Sequence, residues 1–434
     1  DDVGALLEGE LTVAADGRLL KLSADLRFPL GAWLPFSAVV PARNAARILP
    51  GPYRVDSIDV RVRAGQSNMA AVNIYRGAGR PEAALLMERL IDAAARATGI
   101  DPVQMRLRSL VPADAMPYAT PTGEQFDAGD YAAALNRACA RFDYGAERTR
   151  QAGRREAGEV VGIGVAMYVE PCGQGWESAR VTLHADGRVT VASGSAAQGQ
   201  GHETTFARIA ADALGCPADA VFVAQGDTAA CPEGIGALAS RSVAIGGSAI
   251  LAAARGAATR RAAGEPLPIT EDSVYTAPGE AWSYGCVIAR LAIDAETGVP
   301  TIERIVWVDD AGRVISPALV EGQLLGGLAQ GIGQALLERI VYDDQGQLLS
   351  GSLLDYAVPR ADTIPTVELD SLAVPSPANL LGAKGVGEAG CIGVPAALLN
   401  AAIDALAPFG VGRLDFPLTA EQLWRAMTSP GDYR

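Results

Sequence analysis

The most informative stretch of the sequence is Leu381-Gly382-Ala383-Lys384-Gly385-Val386-Gly387-Glu388-Ala389-Gly390. Its four glycines permit positive backbone φ angles, and loops of this kind can turn successive amides toward an anion. The stretch also holds one cation, Lys384, and one carboxylate, Glu388, in a chain whose only other lysine is Lys21. A carboxylate in a mostly apolar loop is a candidate general base. The structural alternative is a glycine turn that caps a helix predicted over 394–407.

The same stretch contains Gly385-x-Gly387-x-x-Gly390, which is the glycine spacing of a dinucleotide-binding fingerprint. That fingerprint requires a preceding strand, a βαβ unit of about 30 residues and an acidic residue about 20 positions further on. Here Pro375 and Pro377 precede the loop, and the chain ends at residue 434. This context disfavours a Rossmann-type nicotinamide dehydrogenase, which stays as the alternative enzyme class.

Length and composition describe a globular chain with room for two or three domains. The chain has 434 residues, of which 49% are hydrophobic and 20% are charged. A net charge of −14 argues against nucleic acid or an anionic membrane as the partner, and no apolar run approaches a membrane span. The chain begins at Asp1 without a visible signal peptide, so we expect a processed chain, a fragment or a subunit of something larger.

The cysteines and histidines exclude the common metal motifs. The cysteines are scattered, with no two of them within four residues of each other: Cys139, Cys172, Cys216, Cys231, Cys286 and Cys391. This spacing matches neither zinc nor iron–sulfur sites and favours a reducing, cytoplasmic compartment. The two histidines, His184 and His202, cannot form a multi-histidine site. We therefore predict no metal held by protein side chains.

Hydrophobic patterns predict mixed strands and helices along the whole chain. Residues 1–70 are predicted as strands with a turn at Asp16-Gly17, and a helix is predicted to run to Thr98. The charged segment 145–160 has little apolar periodicity and is interpreted as an interdomain linker. Further strands are predicted over 160–169, 179–193, 284–294 and 301–308, and further helices over about 206–214, 320–338, 394–407 and 419–428.

Four glycine-rich loops, at 77–79, 199–201, 234–242 and 382–390, each follow a predicted strand or precede a predicted helix. One such loop is weak evidence for a ligand. Four of them, with Arg76, Arg241 and Lys384 nearby, predict one large anionic ligand that is wrapped by backbone amides. A pterin dinucleotide fits this description, and so do several nucleotides.

Five motifs, in order along the chain, resemble the molybdenum-binding large subunit of the xanthine dehydrogenase/aldehyde oxidase/carbon monoxide dehydrogenase family. They are Tyr75-Arg76-Gly77-Ala78-Gly79-Arg80-Pro81-Glu82, Gln198-Gly199-Gln200-Gly201-His202-Glu203-Thr204-Thr205, Gly226-Asp227-Thr228, Ser240-Arg241-Ser242 and Gly382–Gly390. The resemblance implies an α+β fold with two molybdopterin-binding domains of mixed sheets and helices. The first domain (about 1–150) would be incomplete, the second would span 155–434, and the cofactor would lie between them.

The resemblance also implies roles for individual residues. Glu388 matches the catalytic base of an enzyme that hydroxylates an aldehyde or N-heteroaromatic carbon with water as the oxygen source. The implied cofactor is molybdenum–molybdopterin cytosine dinucleotide, whose dithiolene holds the metal. Matching cofactor-binding positions are Arg76, Gly77, Ala78, Gly79, Gln198, Gly199, Gln200, Gly201, His202, Thr205, Ser240, Arg241, Ser242, Lys384, Gly385, Val386 and Gly387. Asn44, Tyr168 and Cys172 fall near the expected substrate pocket, and Glu170 falls near its wall. Core packing is the alternative role for Tyr168, Glu170 and Cys172.

Departures from the family pattern narrow the expected function. Gly77 stands where carbon monoxide members carry a cysteine, which argues against carbon monoxide as the substrate. Purine-type members carry an aromatic residue at Ala78 and an arginine near Asn44, so a purine substrate is in doubt. The family's N-terminal glycine–phenylalanine loop and glutamine are not found. We therefore expect that N-terminal segment as a partner, together with an iron–sulfur subunit and a flavin subunit that carry iron–sulfur clusters and FAD. A non-catalytic assembly half is the remaining alternative.

Overall fold

The computed structural model describes residues 4–433, so the outermost residues of the expected domains 1–150 and 155–434 lie outside the described part. The strands are β1 (Leu6–Val13), β2 (Leu19–Gly31), β3 (Ser57–Gln66), β4 (Tyr118–Ala119), β5 (Gln125–Phe126), β6 (Val160–Pro171), β7 (Trp176–Leu183), β8 (Val189–Ser193), β9 (Val221–Ala224), β10 (Ile269–Thr276), β11 (Trp282–Ile293), β12 (Pro300–Asp310) and β13 (Val367–Leu372). The α-helices are α1 (Val40–Ile48), α2 (Arg80–Thr98), α3 (Pro102–Ser109), α4 (Tyr131–Phe142), α5 (Tyr144–Glu156), α6 (His202–Leu214), α7 (Gly247–Ala262), α8 (Pro317–Leu336), α9 (Ala389–Leu406) and α10 (Ala420–Thr428).

The strands form mixed sheets that are covered by helices. Their orders are β1-β2-β3, β10-β7-β8-β9 and β13-β12-β11-β6, and β4 pairs with β5 in a short hairpin. Parallel pairs (β2 with β3, β8 with β9, β12 with β13) stand beside antiparallel neighbours in each of the three larger sheets. This arrangement confirms the expected α+β class. Residues 4–433 contain no doubly wound parallel sheet, so the Rossmann interpretation is wrong.

The N-terminal prediction is correct for the strands and for α2, but it misses a helix. The β1–β2 hairpin turns at Asp16-Gly17, where Gly17 has φ 90°, and α2 ends at Gly99 in the left-handed conformation. Residues 40–48, which we expected within a strand region, form α1 instead. A proline in its first turn and buried alanines on one face stabilise this short helix. Its alanines are too small to give a clear hydrophobic period in the sequence.

The segment interpreted as an interdomain linker forms the helix α5 and is not an irregular connection. Arg148 and Arg155 of α5 each lie close to Asp404 of α9, with N–O distances of 3.0 and 3.1 Å. Arg154 pairs with Glu159 and Glu303, at 2.6 Å each. The helix therefore docks through ion pairs and not through an apolar face, which is why its sequence lacks apolar periodicity.

Helix α9 lies at the centre of the molecule and packs against β6, β11 and α8. A Cβ atom at Gly162 or Gly164 of β6 would lie only 1.9 or 2.0 Å from a backbone oxygen of α9. A Cβ atom at Gly390 would lie 2.1 Å from the backbone of Gly327 in α8. These glycines thus allow β6 and α8 to pack directly against the backbone of α9, and this packing fixes the position of its first residue, Ala389.

Contrary to the expectation that no apolar run approaches a membrane span, two stretches, Ser242–Ala262 and Ala389–Phe409, are long and apolar enough to cross a membrane. In the structure they contain α7, which packs on β7 and β10, and α9, which packs on β6 and β11. Core helices of globular proteins satisfy the same test of length and apolarity. The most apolar window of the second stretch is 94% buried inside the protein, which is typical of such a core helix.

Candidate active site

A cavity of about 320 Å³ lies where distant parts of the chain meet. Its walls come from Arg76 and from the segments 198–205, 237–243, 311–323 and 383–388. The structure therefore brings together most of the predicted site. The predicted residues that line this cavity are Arg76, Gln198, Gln200, His202, Thr205, Ser240, Ser242, Lys384, Gly385, Val386, Gly387 and Glu388.

Other predicted cofactor-binding residues lie beside the cavity lining and shape its walls. Gly201 caps the N-terminus of α6 with φ 75°. In the loop after Arg76, Ala78 has the unusual φ of 41°, and its carbonyl accepts a hydrogen bond of 2.9 Å from Asn44 Nδ2. The predicted residues in this supporting position are Gly77, Ala78, Gly79, Gly199, Gly201 and Arg241.

Glu388 lies in the cavity wall as the N-cap residue of α9. The hydroxyl of Ser240 contacts Oε2 of Glu388 and also Oε1 of Glu170, a fully buried residue of β6. Two backbone amides complete the cluster, because Gly387 N donates to Ser240 Oγ (3.0 Å) and Glu388 N donates to Glu170 Oε1 (3.2 Å). The candidate base is therefore held by a buried polar cluster and not by a lone cap.

The two carboxyl groups have opposite pKa shifts. Burial, followed by the charge of Glu388, raises the pKa of Glu170 well above its usual range. Burial acts in the same direction on Glu388, but the guanidinium of Arg80 and hydrogen bonds from Glu170 and Ser240 outweigh it, so the pKa of Glu388 is lowered. Arg80 is itself buried and donates to Gly77 O (3.0 Å) and Pro171 O (2.9 Å). Glu388 is thus the ionised member of the pair.

The amides of residues 384, 385, 387 and 388 are used inside the protein, contrary to our expectation that this loop turns its amides toward an anion. Lys384 N donates to Ala311 O (2.9 Å), Gly385 N to Cys172 Sγ (3.1 Å) and Gly387 N to Ser240 Oγ. A Cβ atom at Gly385 would lie 2.1 Å from Ser240 O, and one at Gly387 would lie 2.6 Å from Ser240 Oγ. The glycines of this loop therefore serve its close contact with Ser240, and the loop positions Glu388.

Arg241 does not reach the cavity. Its side chain is fully buried and forms an ion pair with Glu177. The remaining guanidinium hydrogen bonds go to the carbonyl oxygens of Gln174 (3.2 Å), Trp176 (2.7 Å) and Gly236 (2.9 Å). The structure thus assigns Arg241 to holding the 234–242 loop, and we no longer expect it to contact a phosphate directly.

The other two predicted cations, Lys384 and Arg76, differ in whether their charged groups reach the cavity. The Lys384 ammonium is buried and binds Asp310 Oδ2 (2.6 Å) and Ala128 O (3.0 Å), so only the rest of this residue lines the cavity. Arg76, in contrast, reaches the cavity and links three segments. It donates to Gly387 O and, through Nη2, to Gln323 Oε1 of α8 at 2.8 Å.

The N-terminus of α6 offers the groups that an anionic, nitrogen-rich ligand needs. His202 Nδ1 lies 3.1 Å from Ser195 O, whereas its buried Nε2 is without a partner in the described part of the chain. Burial lowers the pKa of His202, so the ring is neutral and Nε2 is an acceptor. Helical bonding begins with Thr205 N, so the amides before it remain for an anion. This donor and acceptor set fits a pterin dinucleotide.

The three expected substrate-pocket residues are buried and support other parts of the site. Asn44 holds the Ala78 carbonyl, Tyr168 Oη accepts from Trp307 Nε1 (3.1 Å), and Cys172 accepts from the amide of Gly385. They lie outside the cavity lining.

Sequence reasoning missed the role of Arg80 and the whole segment 311–323. It placed Glu170 near the pocket wall but did not predict its contact with the candidate base. An isolated acid in the otherwise apolar strand β6 was the available signal for Glu170. Arg80 was visible within the motif Tyr75–Glu82, but nothing in its spacing showed that it faces Glu388. Segment 311–323 has no cluster of glycines or charges that would have singled it out.

Several known proteins are similar to this chain in sequence and in fold. Two family models, both described as molybdopterin cofactor-binding domains, match residues 4–110 and residues 137–265 and 256–365. The carbon monoxide dehydrogenase large chain of Hydrogenophaga pseudoflava is 30% identical over 97% of this chain and 60% of its own length. The nicotine 6-hydroxylase large subunit of Paenarthrobacter nicotinovorans is 29% identical over 95% of this chain and 58% of its own.

A solved structure, quinoline 2-oxidoreductase from Pseudomonas putida 86, superposes with a TM-score of 0.90 and 31% identity. The superposition covers 98% of this chain and 62% of that one. The chain spans about three fifths of the length of the curated relatives that it matches.

Proposed function

The chain belongs to the molybdenum-binding large subunits of the xanthine dehydrogenase/aldehyde oxidase/carbon monoxide dehydrogenase family, and on this premise we propose that it carries the catalytic base of a molybdenum hydroxylase. The proposed reaction is hydroxylation of an aldehyde or N-heteroaromatic carbon, with water as the oxygen source. One observation carries the proposal: a half-buried, ionised Glu388 lies in the wall of a cavity whose polar groups fit a pterin dinucleotide.

The cofactor proposed is molybdenum–molybdopterin cytosine dinucleotide. When bound, it supplies two-electron redox chemistry and the transfer of an oxygen atom. The groups that would hold it are the cavity-lining side chains of Gln198, Gln200, His202, Thr205 and Ser242, together with the first-turn amides of α6. Arg241 and Lys384 contribute by fixing loops, since their charges are neutralised by Glu177 and Asp310.

The protein's own chemistry centres on Glu388. The hydroxyl of Ser240 contacts Oε2 of Glu388. We therefore assign Oε1 as the oxygen that accepts the proton from the group that attacks the substrate carbon. Arg76 restrains the neighbouring Gly387 carbonyl and so limits movement of the loop that carries the base. Because the pKa of Glu388 is lowered, the base is ready in its charged form at neutral pH.

The surroundings of Gly77 and Ala78 favour an N-heteroaromatic or aldehyde substrate over carbon monoxide or a purine. A Cβ atom at Gly77 would lie 2.7 Å from the ring of Pro81, so this loop leaves no room for the cysteine of carbon monoxide members. Ala78 is small where purine-type members have an aromatic ring. Two relatives are named for nicotine and quinoline, which supports the N-heteroaromatic class.

The proposed assembly contains this chain, an iron–sulfur subunit, a flavin subunit and the N-terminal segment of the molybdenum domain. We retain 1–150 and 155–434 as the proposed division of the chain, with α5 crossing the boundary. The six cysteines of the described residues are all free thiols, which supports a reducing, cytoplasmic compartment.

The test is chemical analysis of the native complex followed by a substrate screen. We expect molybdenum and a cytidine nucleotide in equal amounts, and turnover of an azaheterocycle or aldehyde with a dye as electron acceptor. A preparation that lacks molybdenum and cytidine when purified with all subunits would contradict the proposal. A fully loaded complex without turnover of either substrate class would instead favour the non-catalytic assembly half.

A further inference from the structure

Glu170 is a buried acid beside the candidate base, and the family resemblance placed it near the expected pocket wall without a chemical role. Its side chain lies in β6 and is 0% exposed, behind the wall that Glu388 forms. Glu170 Oε1 contacts the hydroxyl of Ser240 and accepts the backbone amide of Glu388 (3.2 Å), and Oε2 accepts from Ser283 Oγ (3.4 Å). Glu170 therefore contacts the candidate base directly at its backbone amide and also through the hydroxyl of Ser240.

A count of protons shows that one of the two carboxyl groups must be an acid. The Ser240 hydroxyl is within hydrogen-bond distance of both Glu170 and Glu388, but it has one hydrogen to donate. It already accepts the amide of Gly387 (3.0 Å). If both carboxyl groups were ionised, one of these oxygen–oxygen contacts would contain no hydrogen and would be repulsive. One additional proton, carried by one of the two carboxyl groups, supplies the missing hydrogen.

The charges around the pair place this proton on Glu170. Arg80 acts on both carboxyl groups, whereas Arg76 acts on the half-buried Glu388 and binds the carbonyl of the adjacent Gly387. Burial raises the pKa of Cys391 to about 12 and raises the pKa values of Cys172 and Tyr168, so these neighbours are neutral near pH 7. Burial raises the pKa of Glu170 as well, so it is the carboxyl group that stays protonated.

We propose that Glu170 is a positioning residue, a carboxylic acid that is protonated at neutral pH, donates through the hydroxyl of Ser240 to Glu388 and keeps Glu388 the ionised member of the pair. In this relay, Glu170 donates to Ser240 Oγ and Ser240 donates to Glu388 Oε2. The hydroxyl then has two donors and one acceptor around it, which is its full capacity. The proposal rests on the proposed function only in its effect on turnover, since the shared proton itself does not depend on any reaction.

The first measurement is infrared spectroscopy of the purified complex at neutral pH, with and without ¹³C-carboxyl glutamate. The difference spectrum of wild type minus Glu170→Gln should contain the carbonyl stretch of one protonated carboxylic acid, and this band should shift with the label. Glu82→Gln is the matched control because burial raises the pKa of Glu82 to about 7, yet this residue lies outside the site. The complex with Glu82→Gln should keep the Glu170 band. Absence of the band from wild type would overturn the proposal.

The second measurement is the pH profile of kcat/KM. Near neutral pH, Glu170→Gln should stay within about tenfold of wild type, because the amide also donates to Ser240. The acid limb of the Glu170→Gln profile should lie at the same pH as in wild type. The alkaline limb should disappear, because glutamine at this position cannot lose the shared proton. Glu170→Leu, which cannot donate, should have a lower kcat than Glu170→Gln. If Glu170 were ionised, Glu170→Gln would remove a negative charge and shift the acid limb to lower pH, and that result would refute the relay.

The two measurements separate this inference from the proposed function. A labelled acid band in a complex that hydroxylates nothing would leave the shared proton intact and refute the hydroxylase. An active hydroxylase whose Glu170 is ionised would support the proposed function and refute the shared proton.

Discussion

At the scale of single residues, the site depends on the serine at position 240 more than on the amides of its glycine loop. Ser240 has φ 57° and Ala239 has φ 49°, a left-handed backbone that costs a non-glycine residue on the order of 1–3 kcal/mol. The glycines at 385 and 387 leave space for this backbone. The strained turn places the Ser240 hydroxyl between two carboxyl groups, and this placement accounts for the strain.

Glu388→Gln tests the base directly. The amide keeps the size of the side chain but cannot accept a proton, so turnover per bound molybdenum should fall by at least about two orders of magnitude. Molybdenum and cytidine contents should remain near those of wild type, because the cavity keeps its other polar groups. A rate within a few-fold of wild type, after normalisation to molybdenum, would remove Glu388 from the mechanism.

The lowered pKa of Glu388 gives a direction for the wild-type pH profile. The carboxylate is the active form, and it is lost only as the pH falls through its lowered pKa. The acid limb of kcat/KM should therefore lie below the usual range of glutamate. An acid limb near or above neutral pH would contradict the assignment of the ionised form to Glu388.

Lys384→Met tests whether this lysine has a structural function. The substitution leaves Asp310 as an unpaired charge in a fully buried position, so the free energy of unfolding should fall by about 3–5 kcal/mol. Lys21→Met is the matched control, since Lys21 is the other lysine and lies exposed on β2, and its effect should be small. Denaturant unfolding measures both. If the two variants were equally stable and only Lys384→Met lost cofactor, the result would show instead that Lys384 binds the cofactor directly.

At the scale of elements, the sequence predicted those whose packing is apolar and periodic. The β1–β2 hairpin, α2 and the paired strands β11 and β12 are found close to their expected positions. Helix α5 was missed because it docks through arginine pairs, and α1 because its buried face is mostly alanine. Hydrophobic periodicity carries no information about either kind of contact.

Gly390→Ala tests the close packing of α8 against α9. The new methyl group would overlap the backbone of Gly327, with a nearest distance of 2.1 Å, so one helix must move and stability should fall by about 1–3 kcal/mol or more. Gly322→Ala in α8 is the control, because no atom lies within 4 Å of its added Cβ and a helical alanine gains roughly 0.5–1 kcal/mol over glycine. Thermal unfolding should change in opposite directions in the two variants. A stable Gly390→Ala protein would show that the helices are not held at this distance.

At the scale of the whole molecule, the site could be predicted only where its motifs are locally distinctive. The loops near residues 76, 198–205, 240 and 382–390 were recognisable, and the structure brings them to one cavity. The contacts that set their chemistry join residues far apart in sequence, such as Ser240 with Glu170 and Arg76 with Gly387. Local patterns cannot report such pairs. For this reason Arg241 and Lys384, both cations in glycine loops, were expected at the ligand and are found in buried ion pairs.

The assembly of the enzyme is the last testable consequence. A hydroxylation with water as the oxygen source releases two electrons per turnover, and these must leave the site through redox carriers. The proposed assembly places these carriers on an iron–sulfur subunit and a flavin subunit. The described residues of this chain contain no group of three or more histidine, cysteine or acidic side chains that could hold a metal ion. Native purification should therefore give a complex with iron, acid-labile sulfide and flavin in addition to this 44.8 kDa chain. Removal of the iron–sulfur subunit should abolish electron transfer to the physiological acceptor but leave molybdenum in place, and adding it back should restore the rate. A lone chain with full turnover to a dye acceptor would contradict this assembly, because it would show that the chain builds a complete site without partners.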